Sequence, residues 1–451
     1  MASEEEAVAQ AMAQAVQSAT SSEQRVDAVR ALLQRYARSG DADALDAAVA
    51  KLVNADNDGA SSEAGALSQH VARQALAALP GVMRDDFPKS SPDTSVETIG
   101  AKLLERLAPH VASGFEDTDA ALRRVLFDRL VAEGAFTEAA RTLAGINFEA
   151  VHRGRSAYSE ADKAATYVEI AETFLEDDES VDAEAFVNRA SGLMHAVSPD
   201  NWALHLRYRV TLARTLDARR KFLEAATSYY ELSQAQREVH AAQIATDDLL
   251  ALLAKAVTCA LLGNAGPQRS RLLATLHKDE RVEAQMAASA EYAAHATVLS
   301  KMCAGELVAK KDVAAFEATL LPHQKALASD GLTIPERATI QHNLAALTYV
   351  YDNVSFDEAA TLLDIDASKA MRVAARMIAD HRLAATIDQV DGVLVFGSGG
   401  RRRDDGVEDA PVDDDLAHVC HSINLVYDKI DDLFDRVNNV DGGGPAATTA
   451  P

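Results

Sequence analysis

His418, Cys420 and His421 form the densest group of possible metal ligands in this sequence. If the segment is helical, His418 and His421 lie about one turn apart, and their imidazole rings could bind one metal ion. A fourth ligand is missing, and Val419 between them belongs to an apolar stripe that requires a buried face. The sequence therefore predicts a polar helix flank at this position and no metal site.

Patterns that mark a catalytic chain are absent from the sequence. It contains no His-x-His pair, no His-Glu-x-x-His, no Walker A sequence and no Gly-x-Ser-x-Gly turn. The glycine-rich run at 397–400 leads into arginines and acids, whereas a phosphate-binding loop would lead from a strand into a helix. We therefore expect no catalytic residue, no cofactor and no metal in this chain.

A basic cluster of Arg219, Arg220 and Lys221 precedes a helix in a chain whose formal net charge is -25. One interpretation is that these three cations contact an acidic partner. The other is that they pair with Glu224 and Glu231 on the following helix. The sequence favours the second interpretation and leaves the first open.

A second basic group occupies a helix that could read DNA, and comprises Lys369, Arg372, Arg376 and Arg382. A winged-helix DNA-binding protein would place its base contacts there. The same helix is flanked by Asp366 and Asp380, and a strongly acidic chain binds the phosphate backbone poorly. A winged-helix nucleic-acid-binding protein is therefore the alternative function from another class.

The composition indicates a mostly helical protein. Hydrophobic residues make up 48% of the 451 residues and aromatic residues only 5%, while alanine is abundant. The three cysteines, Cys259, Cys303 and Cys420, are far apart and odd in number, which predicts a reducing compartment and no disulfide framework. The first residues lack the features of a signal peptide, and the apolar stretch 249–262 is too short for a membrane span. We expect no membrane partner and no small-molecule substrate.

Helical hairpins repeat along the first 330 residues. A bulky residue followed by alanines begins a short helix at Phe136, Val181 and Phe222, and Val313 begins a weaker copy. A period of about 41 to 45 residues is typical of stacked helix pairs. The sequence therefore predicts an all-α protein whose residues 1–330 form a right-handed helical-repeat solenoid of TPR or HEAT type, with a loop near 54–65 and a break near 80–96.

Residues 333–396 are predicted to form a winged helix. Thr333 with Glu336 and Ser355 with Glu358 are capping boxes that begin two helices, and Asp366 can cap a third. A small β-hairpin follows, with short apolar runs at 385–387 and 393–396 around an Asp-Gly turn. Its second strand is apolar on both faces through Val393, Leu394, Val395 and Phe396, so it is either buried in its own domain or extends a sheet shared with a neighbouring subunit.

The segment 412–438 is predicted to be a bundle helix. Its apolar residues alternate spacings of four and three, and are Val412, Leu416, Val419, Ile423, Val426, Ile430, Leu433 and Val437. This seam either packs on its own chain or joins helices of other subunits, and its position after a linker favours the second. The linker, 397–411, contains Arg401, Arg402 and Arg403 followed by acids, and residues 439–451 are predicted to be a disordered tail.

Beyond this architecture, several short segments resemble one known family. A helical arm followed by a winged helix is similar to the PCI-domain proteins of the proteasome lid, the COP9 signalosome and translation initiation factor three. The local sequences resemble subunit four of the signalosome at 219–226 (Arg-Arg-Lys-Phe-Leu-Glu-Ala-Ala), 268–271 (Gln-Arg-Ser-Arg), 273–276, 278–281 (Lys-Asp-Glu-Arg), 321–326 (Leu-Pro-His-Gln-Lys-Ala), 342–344 (His-Asn-Leu) and 387–392.

This resemblance implies a non-catalytic scaffold and sensor subunit of the signalosome, present in cytoplasm and nucleus. It implies that the arm contacts the cullin–RING ligase, that the winged helix abuts the metalloprotease pair, and that the last helix joins a bundle of all subunits. Other PCI and MPN subunits and cullin–RING ligases are then the partners, and an MPN subunit carries the deneddylating zinc site. The equivalent scaffold subunit of the proteasome lid is the alternative within this class.

Overall fold

The computed structural model describes residues 2–18, 21–54, 69–85, 96–109, 114–148, 151–152, 155–156, 158–234, 245–327 and 331–397. Contacts divide the chain into two units, Met1–Phe396 and Gly397–Pro451. The first unit contains all the helices and strands given below.

The described residues are mostly helical. Their α-helices, numbered in chain order, are α1 (Ala2–Ser18), α2 (Ser22–Ser39), α3 (Ala42–Val53), α4 (Gln69–Leu76), α5 (Leu79–Asp85), α6 (Val96–Leu107), α7 (Glu116–Glu133), α8 (Phe136–Ala144), α9 (Glu160–Glu176), α10 (Ser180–Leu193), α11 (Trp202–Ala218), α12 (Phe222–Ser233), α13 (Thr246–Leu262), α14 (Pro267–His277), α15 (Ala293–Ala304), α16 (Lys310–Glu317), α17 (Ile334–Leu347), α18 (Phe356–Leu363) and α19 (Ala367–Ala379). The strands are β1 (Val151–His152), β2 (Arg155–Ser156), β3 (Asn353–Ser355), β4 (Ala385–Asp388) and β5 (Val393–Phe396).

The helical hairpins of the arm share one turn geometry. Gly134, Asp178 and Arg220 each have a positive φ, of 83°, 59° and 60°, two residues before the second helix of a hairpin begins. In each turn the following amide bonds back five residues, as in Ala135 N to Leu130 O at 2.9 Å. This is the Schellman arrangement that ends a helix with a left-handed residue. The predicted helix-pair repeat is therefore present as a repeated backbone geometry.

The predicted register of the second hairpin is wrong by one residue. Ser180, and not Val181, begins α10 in the way that Phe136 begins α8, so Ala183 takes the buried position of Ala139. Val181 is 61% exposed. The sequence comparison aligned bulky residues, whereas the turn and the buried alanine determine where each helix lies against its partner.

Ion pairs on the first helices of neighbouring hairpins connect the repeats. They join α9 to α7 on one side and to α11 on the other, through Arg124–Glu169, Arg207–Glu172 and Arg214–Glu176. These side chains are partly exposed, so each pair contributes about 0–1 kcal/mol. Helix α9 thus uses Glu169 toward α7 and the following Glu172 and Glu176 toward α11.

The predicted break near 80–96 begins later than expected. Helix α5 covers Leu79–Asp85, with Pro80 in its first turn, where the missing amide costs no hydrogen bond. The pattern-based expectation treated Pro80 as a helix breaker, and the buried side chains of Leu79, Val82 and Met83 explain why the helix forms. Residues 86–95 and the predicted loop at 54–65, apart from Asn54, lie outside the described residues.

The three helices predicted for residues 333–396 are present as α17, α18 and α19. Thr333 accepts from the amide of Glu336, and the Glu336 carboxylate accepts from the Thr333 amide at 2.8 Å, which confirms the first capping box. Ser355 likewise accepts from the amide of Glu358 at 3.2 Å. Asp366 occupies the N-cap position of α19 without a side-chain cap bond.

The predicted β-hairpin is part of a three-stranded sheet. Strands β4 and β5 form the hairpin, and β3, which the sequence did not indicate, pairs antiparallel with β5, giving the order β3-β5-β4. Three residues are too few to show the alternating pattern of a strand, and Ser355 at the end of β3 is also the N-cap of α18. Burial of Val354 and its pairing with Leu394 hold it in the sheet.

Phe222 tests the packing of the third repeat hairpin. It is 8% exposed and packs in the cluster formed by α11 to α16. We expect Phe222→Ala to lower the free energy of unfolding by about 3–5 kcal/mol, because a large aromatic side chain leaves a cavity. Urea denaturation of the full chain measures the change. Val181→Ala is the matched control, with a change within about 0.5 kcal/mol because this side chain is mostly exposed; equal losses in both variants would contradict the assigned register.

Candidate functional site

Helix α17 joins the arm to the winged helix through buried polar side chains. Gln341, His342 and Asn343 follow one another in this helix, and their exposed fractions are 2%, 9% and 5%. Buried polar groups require hydrogen-bond partners. All three find them on loops of the arm, so we call the three side chains and their arm partners the joint.

Asn343 makes the most complete contact of the joint. Its side-chain Oδ1 accepts from the amide of Val308 at 2.9 Å, and its Nδ2 donates to the Val308 carbonyl at 3.1 Å. Val308 lies between α15 and α16, at the end of the arm. The Asn343 carboxamide thus bonds to the N–H and the C=O of one residue, as a residue of a paired β-strand does. These two bonds hold the loop at one position relative to α17.

Gln341 bonds to a second loop of the arm, and His342 bonds to the loop that Asn343 already contacts. Gln341 Oε1 accepts from the amide of Ala265 at 3.2 Å and from Arg382 Nη1 at the same distance. His342 Nε2 lies 2.9 Å from the carbonyl of Glu306, which requires the proton to be on Nε2. Two loops of the arm, between α13 and α14 and between α15 and α16, are therefore bonded to one turn of α17.

A buried carboxylate forms a second connection between the arm and the segment before α17. Asp217, near the end of α11, accepts from Gln324 Nε2 at 3.1 and 3.0 Å, and His323 Nε2 lies 3.5 Å away. Asp217 and Gln324 are each 4% exposed. Burial and the nearby Asp217 carboxylate raise the pKa of the Cys259 thiol well above its usual value, so Cys259 is an unreactive core residue.

Two arginines from the segments at 268–271 and 278–281 complete the polar interior of the arm. Arg269 is 2% exposed and donates to the carbonyls of Ala260 and Leu261 at the end of α13, at 3.0 and 2.7 Å. Burial lowers its pKa to about 10, which still leaves it charged at neutral pH. Arg281 bonds to Asp279 and to the Ser233 carbonyl, which ties α12 to the following turn.

The basic cluster before α12 pairs with a different partner from those predicted. Arg219 Nε and Lys221 Nζ both lie 2.9 Å from the carboxylate of Glu184, in the preceding hairpin, and not beside Glu224 or Glu231. The Lys221 hydrogen bond is the main reason that the pKa of Glu184 is lowered. The cations do pair within the chain, as one interpretation predicted, but the predicted partners were wrong. The turn directs the side chains of Arg219 and Lys221 toward the preceding hairpin. Arg220 is exposed and supplies the left-handed turn residue.

The predicted interface residues of the hairpin fall on two faces. Leu394 and Phe396 are 0% and 9% exposed and belong to the core of the winged helix, whereas Val395 is 41% exposed and Val393 is half-buried. Strand β5 is paired on both sides. A neighbouring strand can therefore add only to the outer edge of β3 or β4, neither of which has a second strand partner among the described residues.

The remaining predicted groups lie outside the described residues. They are the cluster His418, Cys420 and His421, the basic run Arg401 to Arg403, and the bundle-helix residues Leu416, Val419, Ile423, Val426, Ile430, Leu433 and Val437. Among the residues that are described, no group of three or more His, Cys, Asp or Glu side chains could hold a metal ion. None of the helices described here has the length and apolar character required to cross a membrane.

The joint was not recognised as a site from the sequence. The segments at 321–326 and 342–344 were singled out for resemblance, but nothing in their spacing indicated which loops they contact. The available signal is a run of three uncharged polar residues, 341–343, between the apolar residues Ile340 and Leu344 of one helix. Their partners, Val308 and Ala265, use backbone groups that no residue type reveals.

Comparison with known proteins gives matches over most of the chain. The family model described as PSMD12/CSN4, N-terminal, matches residues 6–240, and the PCI domain model matches residues 318–398. A COP9 signalosome complex subunit 4 from Arabidopsis thaliana is 37% identical over 344 residues, covering 76% of this chain and 81% of the relative. The protein of the same description from Drosophila melanogaster is 36% identical over 352 residues, covering 77% and 80%.

Removing the Asn343 carboxamide should loosen the joint. We expect Asn343→Leu to lower the free energy of unfolding by about 2–4 kcal/mol, because both backbone groups of Val308 are left buried and unpaired. Hydrogen exchange at the Val308 amide should accelerate. Asn353→Leu, the same change at an exposed position of β3, is the control and should alter neither quantity appreciably. Unchanged exchange at Val308 in the Asn343 variant would refute the role of this contact.

A buried histidine of helix α15 should make stability depend on pH. Burial lowers the pKa of His295 from 6.5 to about 4, and Nε2 lies 3.3 Å from Thr319 Oγ1. Between these values the unfolded chain binds a proton that the folded chain does not bind. Stability contributed by this group is therefore present above pH 6.5 and decreases by about 3 kcal/mol as pH falls to 4.

The His295→Gln variant should lose this part of the pH dependence. Urea denaturation between pH 4 and 7 measures it as a shallower slope relative to the unsubstituted chain. His277→Gln replaces an exposed histidine and should keep the original slope. Parallel pH profiles for the His295 variant and the unsubstituted chain would be incompatible with a neutral buried His295.

Proposed function

The chain belongs to the COP9 signalosome subunit 4 family, and from this we propose that it is a non-catalytic scaffold and sensor subunit of a signalosome. In this proposal residues 1–330 form the arm that contacts a cullin–RING ligase. Residues 333–396 form the winged-helix part of the PCI domain, residues 397–411 a linker, and residues 412–438 the bundle helix. The metal chemistry of deneddylation belongs to an MPN subunit.

The joint is the observation that supports a sensor role most directly. Force applied to the arm reaches α17 through Asn343, His342 and Gln341, while the contact of Gln324 with buried Asp217 holds the segment that leads into α17. Rotation of the arm about α17 would leave these buried groups without partners, at about 1–3 kcal/mol each. A displacement of the arm on substrate binding would therefore move the winged helix with it.

The winged helix is proposed to contact neighbouring PCI subunits by its sheet. An added strand would pair at the outer edge of β3 or β4, where main-chain groups are available. Val393 and Val395 would contribute the apolar face next to that edge, while Leu394 and Phe396 hold the sheet on its own core. The exposed Val390, at the tip of the hairpin, extends the apolar surface.

Affinity purification of the tagged full-length chain, with mass spectrometry of the proteins that accompany it, tests this function. We expect an MPN metalloprotease, several PCI subunits and cullins. Recovery of proteasome lid and base subunits would leave the fold assignment unchanged but assign the chain to the proteasome lid. This alternative is the one to test because a single family model covers both PSMD12 and CSN4. Recovery of the chain alone would refute the assembly.

Charges in the heptad seam should release the chain from its complex. We expect Ile423→Asp with Ile430→Asp to abolish recovery of the other subunits, because unpaired charges would be desolvated in a bundle. The arm and the winged helix should retain their thermal unfolding transition. His421→Asp with Asn424→Asp adds the same charge away from the seam and should leave recovery unchanged; survival of the complex in the first variant would disprove the bundle assignment.

A further inference from the structure

A cationic cavity lies between α17 and α19 of the winged helix. Its volume is about 150 Å³, and its lining comprises Leu332, Arg337, Gln341, Lys369, Arg372, Val373 and Arg376. Leu332 and Val373 are buried and form an apolar floor. Four basic residues line the cavity beside that floor, three from α19 and one from α17.

The charge of this lining departs from that of the chain. Acidic residues outnumber basic ones by 69 to 44 in the whole sequence, but the cavity has four basic residues and no acidic residue. Lys369, Arg372 and Arg376 recur at helical spacing on one side of α19, next to its buried stripe. Like charges at this spacing repel one another, which makes a bound anion stabilising.

The acids at the two ends of α19 do not neutralise these cations. Asp380 pairs with Arg382, and the Asp366 carboxylate accepts from the Ser368 hydroxyl at 2.7 Å. Within the described part of the chain, Lys369, Arg372 and Arg376 form no ion pair. Arg382, the fourth basic residue of the predicted DNA-reading group, is therefore occupied, while the other three converge on the cavity with Arg337 from α17.

We propose that this cavity binds a phosphate monoester dianion. The guanidinium groups of Arg372 and Arg376 offer paired donors in the geometry that matches phosphate oxygens, and the ammonium group of Lys369 adds a third charge. A phosphate monoester presents two charges and three acceptor oxygens, so it uses more of these donors than a carboxylate does. The volume is sufficient for a single phosphate group.

The shape of the site distinguishes it from a nucleic-acid surface. A helix that reads duplex DNA presents its side chains as a ridge that enters the major groove. Here the cationic ends surround a concavity between two helices, and the rest of the chain is strongly acidic. Such a chain would repel an extended phosphate backbone on either side of one favourable contact.

Binding of a labelled alanine-rich pentapeptide with one central phosphoserine to the full chain, measured by fluorescence anisotropy at 0.15 M salt, tests the site. We expect Arg372→Gln with Arg376→Gln to weaken binding at least tenfold. Both side chains are exposed, so circular dichroism and thermal unfolding should remain unchanged. Arg271→Gln with Lys278→Gln removes the same charge from exposed positions of the arm and should leave binding unchanged.

Competing ligands identify the source of the phosphate. Displacement of the phosphopeptide by inorganic phosphate at similar concentration supports a site for the free anion, and failure to displace it at hundredfold excess supports a phosphorylated protein. Equal binding of the same pentapeptide with glutamate in place of phosphoserine, or an equal loss in the control variant, would overturn the proposal. Stronger binding of a 20-base-pair DNA duplex, lost in the Arg372 and Arg376 variant, would assign the surface to nucleic acid instead.

Discussion

The hydrogen bonds between Asn343 and both backbone groups of Val308 constrain the described part of this protein more than any other single contact. An amide and a carbonyl in the interior must be paired, and here one side chain pairs both. Helix α17 therefore belongs to both parts of the structure. Its apolar residues pack in the core of the winged helix, and its polar residues form hydrogen bonds with backbone groups in loops of the arm. Neither part can rotate against the other without breaking bonds that water cannot replace.

The arm reaches this joint through a repeated backbone geometry. Left-handed residues end the first helix of successive hairpins, and a buried alanine such as Ala183 allows the second helix to approach closely. Glu184 occupies the position equivalent to Ala140 and Ala226 in the other hairpins. Its carboxylate binds Arg219 and Lys221 of the next turn. A repeat therefore connects to its neighbour both by apolar packing and by one shared carboxylate.

The winged helix combines two surfaces with different chemistry. Its sheet presents two open strand edges and the half-exposed Val393 and Val395, which suit protein association. Its helices α17 and α19 enclose a cationic cavity on a chain that is acidic overall. Because Gln341 of α17 belongs both to the joint and to the lining of the cavity, an anion bound there would lie beside a contact that holds the arm.

The sequence by itself determined the helical class, the paired-helix repeat, the caps at Thr333 and Ser355, and the hairpin of the winged helix. These features depend on local patterns of apolar spacing and capping that each segment carries alone. It could not determine the register at Ser180, the strand at Asn353–Ser355 or the partner of Arg219, because these depend on which residues distant segments bring near. Only the tertiary structure decided that Gln341, His342 and Asn343 form a joint, because their partners are backbone groups of distant loops. It also decided that four basic residues from two helices line one cavity, because only folding places α17 against α19.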